Sequence, residues 1–198
     1  MFRWRVIAGV GALAMALAAC SGSGGDDRAR PIVESGVAYS ELGQYERAIR
    51  DFDEAIRLDP QYAETYGLRG IAYYNLGQYE RAIQDYGEAI RLDPQFALAY
   101  AIRGVAYSEL GQYERAIQDY GEAIRLDPQD ALSYADRGAT YSELGQYERA
   151  IQDFDEAIRL DPQFALAYAI RGVVYRALGN NSAADRDLNK ARELGYRP

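Results

Sequence analysis

Three residue classes in this 198-residue chain could do chemistry: 30 Asp and Glu, 18 Tyr and a single Cys, Cys20. There is no His, which excludes His general bases, His metal ligands and a Ser-His-Asp arrangement. One Cys allows neither an intrachain disulfide nor a multi-Cys zinc site. Carboxylates catalyse as a recessed pair whose environments push their pKa values apart. Here most acids instead fall in ladders four residues from an Arg, such as Glu46/Arg50 and Asp53/Arg57, the spacing of ion pairs on a solvated helix face. The Tyr residues recur at fixed intervals, Tyr39, Tyr73, Tyr107, Tyr141 and Tyr175 forming one column, which predicts packing between helices. No enzymatic activity, cofactor or metal is expected. The formal net charge of −8 disfavours a general nucleic-acid binder, which needs a basic face for phosphates, and no nucleic-acid partner is expected.

Cys20 stands at the end of an address label. Arg3 and Arg5 precede an uncharged run from Val6 to Ala18, shorter than the ~20 residues of a membrane-spanning helix. The run ends in Leu17-Ala18-Ala19-Cys20, which resembles the lipobox of bacterial lipoproteins. That resemblance implies a signal peptide over 1–19, cleavage before Cys20 and acylation of its thiol. Residues 20–28 then form the lipidated Cys and a Gly/Ser-rich flexible tether. Removal of Arg3 and Arg5 leaves the mature chain still more acidic, so the lipid must be its only membrane attachment. Ser21 follows the Cys where inner-membrane lipoproteins carry Asp, which by the same resemblance implies the outer membrane, facing the periplasm.

The remainder repeats every 34 residues: Gly36, Gly70, Gly104, Gly138 and Gly172 keep that step, and so do Gly43, Gly77, Gly111, Gly145 and Gly179. Five units follow, 29–62, 63–96, 97–130, 131–164 and 165–198. In each, apolar and small residues at spacings of three, four and seven predict two helices. Gly77 stops the first helix of its unit, and Leu92-Asp93-Pro94 ends the second. Helices this short are marginal alone, so neighbouring units must stabilise one another.

Tyr66, Gly70, Tyr73, Ala82, Tyr86, Ala89 and Pro94 resemble the signature of the tetratricopeptide repeat, which covers about 170 of the 198 residues. Unit one departs at Ile32, and unit five at Leu188 and in lacking the Pro. The resemblance implies an all-α, right-handed superhelical solenoid of five helix-turn-helix repeats with a concave groove. The Ile pair Ile83/Ile90 of the second helix becomes Asp185 and Arg192 in unit five, which predicts a polar end cap and disfavours head-to-tail stacking. A monomer or a weak lateral dimer is expected.

Two rows of charge recur inside the array. Arg69, Arg103, Arg137 and Arg171 stand where the family pattern has Leu, and Asp51, Asp85, Asp119, Asp153 and Asp187 recur in the second helices. A half-buried Arg needs a partner. The unit lacking Arg is the first, so the expected pairs run between units: Asp51–Arg69, Asp85–Arg103, Asp119–Arg137 and Asp153–Arg171.

By family analogy the groove is lined by the first helices: Val37, Ile71, Val105, Ala139 and Val173 as an aliphatic floor, Ser40, Tyr74, Ser108, Ser142 and Arg176 beside it, and Glu41, Asn75, Glu109 and Glu143 as a mostly acidic rim. Such a face suits a protein or peptide carrying apolar anchors flanked by Lys or Arg. The expected function is a lipid-anchored adaptor of the bacterial envelope that binds protein partners. The alternative is a structural component acting by lateral self-association.

Overall fold

The computed structural model describes residues 28–197; the expected signal peptide, Cys20 and most of the tether lie outside them. The described residues form ten α-helices and no strand. They fall into two compact units, divided between Leu110 and Gly111. The first holds α1 (Arg30–Glu41), α2 (Tyr45–Leu58), α3 (Ala63–Asn75), α4 (Tyr79–Leu92) and α5 (Ala97–Glu109). The second holds α6 (Tyr113–Leu126), α7 (Ala131–Glu143), α8 (Tyr147–Leu160), α9 (Ala165–Ala177) and α10 (Asn181–Glu193). Among the described residues no helix is long and apolar enough to cross a membrane.

The turn inside each repeat is built by Gly. At Gly77 φ is +73°, a left-handed conformation that costs a side-chain-bearing residue roughly 1 kcal/mol or more. The turn closes with Gln78 N–H donating to Tyr73 O at 2.9 Å and Gly77 N–H to Tyr74 O at 2.8 Å, which satisfies carbonyls the helix end leaves free. The turn between repeats uses Asp as well as Pro: Asp93 Oδ1 accepts from Gln95 N–H at 2.9 Å, an Asx turn repeated at Asp59, Asp127 and Asp161.

In the first unit the core joins Val37, Ala48, Phe52, Leu68, Ile71, Ala72, Ala82, Tyr86, Ile102 and Ala106. Gly70 lies against the fully buried Tyr86, and a Cβ there would stand 2.5 Å from the ring, so the signature Gly sets the distance between the two helices of the repeat. In the second unit Tyr120, Phe154, Ile170 and Val174 are buried, as are Ala150, Ala157, Ala167 and Ala184. In α7 the column Leu68, Ile102, Ile170, buried elsewhere, is continued by the half-buried Asp136. Asp185 and Arg192 of α10 are exposed, as are Glu34, Ser35 and Ala38 of α1.

Candidate functional site

Two side-chain systems compete for the functional role: the Arg and Asp rows, and the first-helix face. The rows are knit into the repeats. Arg69 donates from Nε to Asp85 Oδ2 at 2.8 Å and from Nη2 to Asp85 Oδ1 at 2.6 Å. Arg137 holds Asp153 through the same two atoms, both at 2.8 Å, and Arg171 holds Asp187 at 2.7 and 2.8 Å. Each pair joins the two helices of one repeat. The expected pairings Asp51–Arg69, Asp85–Arg103, Asp119–Arg137 and Asp153–Arg171 are therefore corrected. Asp85, Arg137 and Asp153 have their partners sixteen residues away in their own unit. The left-over acid of the rows is Asp51, opposite Ser35; it is half-buried, whereas Asp85, Asp119, Asp153 and Asp187 are buried.

A contact between repeats does exist, on a residue outside the expected row. Arg69 Nη1 donates to Asp53 Oδ1 at 2.6 Å, and Arg171 Nη1 to Asp155 Oδ1. Asp53 is thus drawn away from its expected helix partner Arg57, which bonds Glu54 instead. Burial disfavours the Arg69 charge, but the hydrogen bonds and charges of Asp85 and Asp53 outweigh it and raise its pKa. The Tyr columns complete the cradle: the Arg171 guanidinium lies 5.5 Å from the Tyr168 ring centre and 5.9 Å from that of Tyr175, within cation–π range. Arg69 is flanked alike by Tyr66 and Tyr73, and Arg103 by Tyr100 and Tyr107.

The first-helix face divides differently from its expected lining. Val37 and Ile71 are core residues, 8% and 3% exposed, and offer no floor to a ligand. Val105 and Ser108 are half-buried, Glu41 and Glu109 exposed. Tyr74 packs against Tyr79 with ring centres 5.2 Å apart, and the Tyr79 hydroxyl lies 3.5 Å from Glu109 Oε2. Asn75 spends its amide on Ile71 O at 2.9 Å. In the second unit Ala139 and Ser142 are half-buried and Glu143 is exposed. Ser40 and Ser142 shield their hydroxyls from solvent without a hydrogen-bond partner among the described residues. Val173 is 45% exposed. Arg176 reaches the end-cap residue Asp185 at 3.0 Å, a tie between groove row and cap that periodicity did not reveal. Among the described residues no group of His, Cys, Asp and Glu could hold a metal ion.

The TPR repeat model matches residues 36–77, 70–111, 104–145 and 138–179, overlapping segments that span well over half of the chain. Among solved structures, one of MamA is 29% identical, covering 80% of this chain and 93% of its own with a TM-score of 0.75. MamA from Desulfovibrio magneticus RS-1 is 25% identical, covering 86% and 97% with a TM-score of 0.79. YrrB, described as a TPR protein with an unusual peptide-binding site, is 24% identical and covers 84% and 86% with a TM-score of 0.70; it shares the fold. A search of curated proteins finds no match. TPR proteins mediate protein–protein interaction and scaffolding and are typically not enzymes. With its repeats matched and its helix pairs in place, this chain belongs to the TPR family.

Proposed function

We propose that this chain is a lipid-anchored adaptor of the bacterial envelope that binds protein partners through the face of its first helices. The observation that carries this is a division of labour. The bidentate Arg–Asp pairs, with their Tyr flanks, hold the two helices of a repeat together, whereas the exposed Glu41, Glu109 and Glu143 stand outside that network. In the first unit the half-buried Val105 accompanies Glu41 and Glu109, and in the second the exposed Val173 accompanies Glu143, so each unit by itself offers apolar contact and negative charge. A partner segment with aliphatic anchors flanked by Lys or Arg complements both. The lipobox ending at Cys20 and the short tether support anchoring close to one membrane, and Ser21 favours the outer one.

Site-specific photocrosslinking in cells tests the face. A photoreactive residue at Glu109 or Glu143 should capture a partner that one at Arg91, in a second helix, does not. Capture only from the second helices would overturn the proposal. The anchor is tested separately. Cys20→Ala should leave an unprocessed precursor or release the protein from membranes; a variant of normal mature mass in the membrane fraction contradicts acylation at Cys20.

A further inference from the structure

Three repeats show what an Arg of this row does with its third nitrogen. In two of them Nη1 holds a carboxylate of the preceding repeat, Asp53 on Arg69 and Asp155 on Arg171. In the third, Arg137, the position equivalent to Asp53 and Asp155 is Gly121, midway along α6. A Cβ built on Gly121 would stand 3.9 Å from Arg137 Nη1. Glycine inside a helix is less favourable than Ala and here contributes only room. Arg137 is otherwise held in place, with Nε and Nη2 on Asp153 and its guanidinium 5.7 Å from the Tyr134 ring centre. Its Nη1 has no hydrogen-bond acceptor among the described residues.

We propose that Arg137 Nη1, over Gly121, is a binding site for a carboxylate side chain, Asp or Glu, of a protein partner. The same atom binds that same group twice elsewhere in this chain, so the geometry of the contact is already known. The guanidinium is ordered before the ligand arrives, which removes most of the entropic cost of fixing an Arg. The charges also agree. Arg69 and Arg171 each face two carboxylates, but Arg137 faces Asp153 alone, so an incoming anion meets a neutral pair. The net negative charge of the chain acts over longer distances and is damped beyond ~8 Å at physiological salt. The site lies between α6 and α7 and does not depend on the first-helix face.

The test follows the side-chain nitrogen NMR signals of Arg137 and Arg171 while acetate replaces chloride at constant ionic strength. Arg137 should show a saturable shift and Arg171 none. Gly121→Asp supplies an internal carboxylate, as Asp155 does in the next repeat, and should abolish the Arg137 response. Asp155→Gly should give Arg171 a response like that of Arg137. Equal behaviour of the two Arg residues in the unaltered protein overturns the proposal. So does an Arg137 response that survives Gly121→Asp, or an Arg171 that stays silent in Asp155→Gly.

Discussion

Arg69 and Asp85, sixteen residues apart, close each other's hydrogen-bonding edge across the two helices of one repeat, with Nε and Nη2 of the guanidinium on the two carboxylate oxygens at 2.8 and 2.6 Å. A side-on, two-bond grip of this kind is open to Arg and not to Lys. The pair therefore acts as a clamp inside the repeat, while Asp53 adds a contact at its solvent edge.

The two acids on Arg69 should differ in weight. Asp53 keeps 52% of its side chain exposed and Asp85 8%. Asp53→Ala removes a surface ion pair and should cost less than about 1 kcal/mol. Asp153→Ala leaves Arg137 half-buried with no acid on it and should cost about 3 kcal/mol, near the value for a broken buried pair. Asp85→Ala should fall between, because Asp53 remains. Urea denaturation of the three variants checks the order.

Glycines of one repeat should respond in opposite directions. Gly70→Ala forces a methyl group against Tyr86, whose ring is 2.5 Å from the built Cβ and 1% exposed; a loss of about 1–3 kcal/mol follows from overpacking. Gly87→Ala meets only Arg103 Nη1 at 3.8 Å and should gain up to about 1 kcal/mol from helix propensity. Thermal unfolding of both variants is the measurement.

Asp136 gives the fold a pH dependence. It occupies a core column of α7, and burial, then the negative charge of Asp130, raises its pKa from 3.8 to about 7. Below 3.8 it is protonated folded and unfolded alike. Between 3.8 and about 7 the unfolded chain ionises it while the folded chain holds the proton, so this residue's effect on stability becomes steadily more unfavourable as pH rises and levels off above 7. Asp136→Ile restores the column of Leu68, Ile102 and Ile170. It should stabilise the protein by about 2 kcal/mol or more at pH 8 and by less at pH 4. Chemical denaturation of both proteins across that range checks the sign, and an equal gain at both pH values contradicts it.

The helix pairs were legible because a 34-residue step repeats every packing and turn signal several times over, so that Gly77 and Pro94 each have counterparts in other units. The same periodicity hid the pairing of Arg69. Four Arg and five Asp leave one Asp over whether partners lie within or between repeats: Asp51 in the first case, Asp187 in the second. The structure leaves Asp51 over and gives Asp187 to Arg171. Asp53 and Asp155 were legible only as helix-face acids, because a contact between neighbouring repeats depends on how the helices cross. Family analogy puts Val37 and Ile71 on the groove, whereas their helices turn them into the core. Asp136 breaks an aliphatic column and is passed over in the sequence because the repeat pattern itself does not interpret such a break.

The binding kinetics of a partner captured at Glu109 or Glu143 test the proposed adaptor role most directly. Charge at a rim mainly sets the rate of encounter, and apolar contact the lifetime. Surface plasmon resonance of the Glu109→Lys/Glu143→Lys double variant should show slower association with a weaker salt dependence and a dissociation rate close to that of the unaltered protein. Val173→Asp, at a site already 45% exposed, should instead speed dissociation. Unchanged rates in both variants would contradict binding by the first-helix face.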